Sequence, residues 1–490
     1  MRRAYLLAGS GALGALTVLG LGAMPMLAQQ DAGPEAGGPV LTFGISSTLS
    51  ATDNYDLNPD EAESAELFDT RLSLGYLNRR PGDTLSLNLS GVLRAIEPPR
   101  GANTFDDRTA RLGYTRQGAN SALSFGANYS LSSVDARDPF DRDVLEDDED
   151  DPLDEDDPLD ETDLTQDRGN EQVIGARFRF ETGLNDPLGV VLSGDYRDRS
   201  FTDTTDPDLF DSETFTLSAT TRATLTPVTE ARVVLRYRDY SADDTERTDR
   251  QTSSVNLGLT QALTQVDTLD LSLGLQQIET EETDFQQVLP GLVVGTRNSE
   301  TENGVIGSLS LSRELTRGTI GTTFEVDQSE NGQTTTWQVN RALPLPRGSL
   351  SFSVGATRNV ANDIVPSGRL NFTHEMPRST LTASLSQDVR TSDRSNELRT
   401  TQASVGYDYQ INSLSSLRVE ANFAELARSG GPQLNDTTRS DLRATYSYEL
   451  TRDWQLSTGY EYRIREEDNV GQATSNRVFL TLQRSFSVRP

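Results

Sequence analysis

The sequence predicts an all-β fold: a single closed antiparallel transmembrane β-barrel of about 22 strands, within a range of 18 to 24, with no plug domain. Three observations predict it. Apolar and polar residues alternate with period two from residue 40 to the end. The connections between alternating segments are by turns short and long. The polar faces carry small and charged residues at mid-strand.

The alternation is the first ground. Leu269, Leu271, Leu273 and Leu275 alternate with Asp270, Ser272 and Gly274. Leu350, Phe352, Val354 and Ala356 do so with Ser351, Ser353 and Gly355, and Trp454, Leu456, Tyr460 and Tyr462 with Gln455, Ser457, Gly459 and Glu461. Period two means strands with one apolar and one polar face. A soluble sandwich turns its apolar faces inward; a membrane barrel turns them out to lipid and its polar faces in to a wet lumen. The segments run about ten residues, the length of a tilted membrane strand. A β-solenoid would show a fixed short repeat, and tandem sandwiches would need linkers between blocks.

The turns are the second ground. Short connections fall near Pro81, Gly118, Asp186, Pro227, Gln265, Arg317, Pro346, Pro377, Ser413 and Arg452. Between them lie longer polar stretches, Thr52–Ala65, Asp135–Asn170, Phe201–Asp211, Glu281–Glu300 and Ser429–Asp436. Short periplasmic turns and long outer loops are the rhythm of outer-membrane barrels. Within Glu281–Glu300, Pro290 and Gly291 also suit a turn between strands.

At the N-terminus, Met1-Arg2-Arg3 and the apolar run to Ala28 read as a secretory signal peptide over residues 1–28. Residues 29–39 are then a short periplasmic segment, too short for a plug, and 40–490 form the barrel, with a long acidic loop at 135–170. The 490 residues carry 75 acidic and 44 basic side chains, a net charge of -31. All the basic residues are arginine. Such a chain does not bind nucleic acid by neutralising phosphate. With no cysteine and one histidine, His374, thiol chemistry and multi-histidine metal sites are excluded, and a catalytic triad would have to use that residue. The expectation is no enzyme and no cofactor.

The final strand, Val478 to Phe486, is apolar and alternating and ends near an aromatic residue. Here the chain resembles bacterial outer-membrane β-barrel proteins of the porin type, including those that accompany exopolysaccharide export. The resemblance lies in the pattern from signal peptide to last strand. It implies the outer membrane of a Gram-negative envelope, contact with outer-membrane lipid and lipopolysaccharide, and insertion by the barrel-assembly machinery through the C-terminal strand.

Asp141–Asp163 holds 15 carboxylates and one arginine. Such a run reads as a self-repelling loop, or as a cluster that weakly collects divalent cations; Pro152 and Pro158 and the lack of an Asp-x-Asp-x-Asp-Gly pattern argue against a closed calcium site. Charges on the polar faces must point inward, because an arginine facing lipid at the midplane costs about 2–4 kcal/mol. The expected pore-lining residues are Arg111, Arg177, Arg179 and Asp195; Arg232, Arg236 and Arg238; Asp408, Arg418 and Glu420; and Asp441, Arg443, Glu461 and Arg463. They either pair across strands and fill the lumen or screen solutes by sign. Turn positions set register: pairs whose numbers sum to 904 place Arg443 opposite Glu461 and Asp441 opposite Arg463, a sum of 826 places Asp408 opposite Arg418, and 372 places Arg177 opposite Asp195.

The function expected is passive passage of small hydrophilic solutes or polysaccharide. The alternatives are a structural or adhesive barrel whose long loops contact surface polymer, and a barrel hydrolase using His374.

Overall fold

The computed structural model describes residues 38–59, 62–97, 103–134, 140, 164, 169–289, 292–392, 397–429, 436–468 and 470–489. Among them every regular element is a strand, and the 22 strands, β1 to β22 in chain order, pair antiparallel with their sequence neighbours. The ring closes where β1 (Gly38–Thr52) pairs with β22 (Gly471–Val488), from Leu41↔Val488 to Thr52↔Arg477. Closure removes the unpaired edges that lipid would penalise by several kcal/mol per orphaned group. Phe43 and Phe486 stack across this seam with ring centroids 5.4 Å apart.

Each expected tight turn is present. Pro81-Gly82 joins β2 (Ala65–Arg80) to β3 (Asp83–Glu97), and Gly82 takes the positive φ, 84°, that such a turn needs. The turn around Arg452 joins β20 (Thr437–Glu449) to β21 (Trp454–Glu467), with the Leu450 N–H donating to the Trp454 carbonyl at 2.9 Å. Short turns leave little slack, so they set the register of the strands that they join.

Two expectations are corrected. Strands are longer than ten residues, from 11 in β13 (Thr319–Ser329) to 23 in β11 (Asp267–Leu289) and β12 (Leu292–Glu314), because backbone pairing continues past the lipid belt. The stretch Glu281–Glu300 is mostly strand, not loop. β11 pairs with β10 (Asp249–Ala262) only as far as Asp249↔Glu281, and β12 with β13 only as far as Gly307↔Val326. Beyond those points the ladder of β11 and β12 is with each other, up to Leu289↔Leu292, and the Thr283 N–H donates to the Glu246 carbonyl at 2.6 Å. They form a two-stranded hairpin rising above the ring. Arg297 ties it to the rim, with Nη2 2.9 Å from Asp249 Oδ2 and a second ion pair to Glu281. Residues 1–37, which hold the signal-peptide reading and most of the short segment after it, lie outside the described residues.

The arrangement is inverted relative to a soluble protein. Leu257, Leu273, Leu275 and Val354 are among the most exposed side chains, and Leu480, Leu482 and Phe486 of β22 lie on the same outer face. The opposite face carries the charges and hydroxyls. Tightly buried apolar residues are few and sit near the long-loop end, among them Leu57, Leu67, Leu398 and Leu426.

Candidate functional site

The candidate site is the inner wall. A circular ring of this many strands, spaced ~4.8 Å and tilted ~40°, would be about 40 Å across between backbones. Wall side chains alone do not fill such a width.

Hydroxyl pairs line much of the wall: Ser193 with Ser218 at 2.7 Å, Ser272 with Ser308 at 2.8 Å, Ser384 with Ser404 at 2.7 Å and Ser447 with Ser457 at 3.0 Å. They sit directly opposite one another on adjacent strands, as alternation requires. Such a wall is wettable without fixed charge.

The expected charges stand on the same face. Arg177 of β6 (Asn170–Thr182) faces Asp195 of β7 (Leu188–Thr202), with Nε 3.1 Å from Oδ2. Arg179 pairs with Glu181 at 3.6 Å. On β9 (Thr229–Ala242), Arg232 makes a two-pronged pair with Asp270 at 2.7 and 2.8 Å, a partner two strands away that register alone did not suggest. Arg236 and Arg238 follow on the same face, Arg236 exposed. Arg111, on β4 (Asn103–Gln117), stands opposite Asn88 and Asn128.

The densest group lies on β18 (Glu397–Asn412) through β22. Asp408 faces Arg418 of β19 (Ser415–Ser429) at 2.6 Å, and Arg418 also approaches Glu420 at 3.7 Å. Asp441 faces Arg463 in register and accepts from Asn422 at 3.3 Å. Glu461, 1% exposed, is shared by Arg443 at 3.3 Å, Arg463 at 3.8 Å and Arg477 at 3.6 Å. All four pairs expected from register are therefore cross-strand neighbours, and three of them are ion pairs.

Several wall residues were not singled out from the sequence. Arg477 and the buried Arg439 have the parity of their inward neighbours and were legible from it. Arg94 bridges Asp69 at 3.1 Å and Asp107 at 2.9 Å; Arg199 pairs with Glu171 at 3.1 Å, and Arg250 with Glu330 at 3.3 Å. Glu171 and Arg199 lie diagonally on the adjacent strands β6 and β7, whereas Arg250 and Glu330 are far apart in sequence.

A contact across the lumen completes the site. Leu164, 1% exposed, packs with Leu398, Ala424 and Leu426 on the inner faces of β18 and β19, and Phe140 joins them. Leu164 and Phe140 belong to the long loop between β5 (Ser121–Ser133) and β6, and β19 lies eight strands from β5 by way of the β22–β1 seam. The seven residues from Ser133 to Phe140 span at most ~25 Å when extended. The walls therefore approach one another at this level more closely than in a circular ring.

His374, on β16 (Ile364–Met376), stacks on Phe372 with centroids 6.2 Å apart and shares the apolar outer parity of Leu370 and Phe372 near the Pro377 turn. That placement keeps His374, the one histidine of the chain, off the inner wall. Among the described residues no group of three or more His, Cys, Asp or Glu is placed to hold a metal ion; the acidic run Asp141–Asp163 lies outside them.

No protein-family model matches the chain, and no curated protein matches it. Among solved structures it is similar to the ferric-catecholate import receptor Fiu from E. coli K12 in its open form. The TM-score is 0.57 at 12% identity, over 92% of this chain and 82% of that one. It is similar to the FrpB iron transporter from Neisseria meningitidis, with a TM-score of 0.53 at 8% identity over 91% and 81%. The copper transporter OprC gives 0.52 at 12% identity over 93% and 82%. At these identities the likeness is one of fold, and the proteins named are transporters and receptors, not enzymes.

Proposed function

We propose that the chain is an outer-membrane channel of a Gram-negative envelope that passes hydrophilic solutes, or polysaccharide, through a charged lumen. The observation that carries this reading is the pairing of an apolar outer belt with an inner wall of hydroxyls and ion pairs around a closed ring of 22 strands. The outer belt meets lipid and lipopolysaccharide. The last strand, β22, is the segment that the barrel-assembly machinery would read. Water enters such a lumen because its wall offers donors and acceptors throughout. Catecholates, iron and copper are the cargoes of the similar structures, and the fold likeness supports transport only as a class of activity for this chain.

A second reading, a structural or adhesive barrel, draws on the β11–β12 hairpin, which stands clear of the ring where a surface partner could meet it. Single-channel recording in planar bilayers separates the two. Stable, charge-selective conductance supports the channel; well-folded protein with no conductance supports the structural reading.

A further inference from the structure

The net charge of the chain is -31, yet one part of the inner wall is basic. On β7, β8 (Ser212–Thr226) and β9 the positions of inner parity hold Arg197, Arg199, Arg222, Arg232, Arg236 and Arg238 against two carboxylates, Asp195 and Glu230. Three of these arginines are engaged by the wall itself. Arg199 pairs with Glu171 and Arg232 with Asp270, while Arg222 Nη2 donates to the Gly183 and Leu184 carbonyls at 2.9 and 3.2 Å. Asp195 is held by Arg177. Arg236 is different. It lies in the middle of β9 with its side chain exposed, and among the described residues no hydrogen bond or ion pair engages it. Glu230, the inward carboxylate of the same strand, is about 20 Å away along it.

Hydroxyl donors flank this guanidinium. In register, Arg236 lies between Ser218 of β8 and Ser254 of β10, and Arg238 lies between Thr216 and Thr252. Side chains directly opposite one another have Cβ atoms about 4.5–5.5 Å apart, so one small solute group can touch two of them. Ser218 and Ser193 share a hydrogen bond of 2.7 Å, which uses one of their two hydroxyl protons and leaves the other to donate. The arginine fork matches the oxygens of a carboxylate or phosphate, and such charge-assisted bonds are roughly twice as strong as neutral ones. A neutral sugar gains no such bond there, and a cation is repelled. We propose that this shelf, Arg236 with Ser218, Ser254 and Arg238, is a solute subsite for an oxyanion group, a carboxylate or a phosphate; the inference rests on the channel reading and makes its cargo anionic.

Thiol protection tests this without requiring conductance, and the chain has no cysteine of its own. Thr252→Cys, one inward step from Ser254, and Thr323→Cys, on the inner face of β13 between Ser310 and Gln338, are made singly in the full-length barrel. Each is labelled with a neutral, water-soluble maleimide while inorganic phosphate, a tricarboxylate or a neutral disaccharide is added, with chloride holding the ionic strength constant. Phosphate or the tricarboxylate should slow labelling at residue 252 several-fold and leave residue 323 unchanged. Whichever acts at the lower concentration identifies the oxyanion. Arg236→Gln, added to Thr252→Cys, should raise the half-protecting concentration at least about tenfold, the loss expected for hydrogen bonds to a charged group, at unchanged heat-modifiable mobility. Protection that survives Arg236→Gln would overturn the proposal, as would equal protection at the two positions or equal protection by the disaccharide. Ready labelling at both positions that no anion slows would overturn the subsite and leave the channel standing. No labelling at either position of a folded barrel would show a dry wall, and the channel would fall with the subsite.

Discussion

Asp408 and Arg418 stand directly opposite one another across the β18–β19 ladder, the arginine Nε 2.6 Å from the carboxylate Oδ1. The pair is partly open to the lumen, so its contribution to stability is small, about 1 kcal/mol or less. Its contribution to the lumen field is larger. Asp408→Asn removes a negative charge while leaving the arginine, so reversal potentials in a salt gradient should move toward anion preference. The midpoint of unfolding should hardly change.

Glu461 is a different case. It is almost fully buried and is shared by Arg443, Arg463 and Arg477. Glu461→Gln leaves three guanidinium groups crowded without their carboxylate, which should cost about 3–5 kcal/mol. Urea unfolding in lipid vesicles measures it; a loss below that of Asp408→Asn would show that the cluster is hydrated rather than enclosed.

The outer belt predicts an asymmetry between adjacent residues. Leu273 is 62% exposed on the lipid side, whereas Ser272 bonds Ser308 across the inner wall. Leu273→Arg should destabilise the barrel by about 2–4 kcal/mol near the midplane. Ser272→Arg should cost much less, because its charge reaches water. Equal costs would remove the assignment of faces.

Leu164 joins the long loop to the far wall. Leu164→Ala should weaken that contact by about 2–3 kcal/mol and leave the ring intact, since the ring's backbone pairing does not involve the loop. Limited proteolysis between residues 134 and 170 should then run faster at unchanged heat-modifiable mobility. Unaltered cleavage would mean that Leu164 is not what holds the loop.

Much of this was legible in the sequence because a barrel is governed by local rules. Alternation assigns faces, and tight turns such as those at Pro81 and Arg452 set register, so Arg177–Asp195 and Arg443–Glu461 follow from arithmetic. Where a turn is not tight the arithmetic stops: the Glu281–Glu300 segment is polar enough to read as loop, yet its backbone pairs with itself above the rim. Contacts that cross the lumen carry no periodic signal. The seat of Leu164 on Leu398 and Leu426 depends on which strands the closed ring brings near one another, and the Arg250–Glu330 pair spans three strands of one wall, beyond the reach of nearest-neighbour register. Arg439 and Arg477 were within reach, since parity alone puts them beside Asp441 and Glu461.

The central claim is that the apolar face looks out to lipid and the polar face in to water. Single cysteines along β11 test it most directly, at Leu271, Leu273 and Leu275 and at Ser272 and Gln276, each treated with a charged, membrane-impermeant thiol reagent in lipid vesicles. The account predicts labelling at Ser272 and Gln276 and protection at the three leucine positions. Labelling at the leucines with protection at 272 and 276, or no alternation at all, would contradict it.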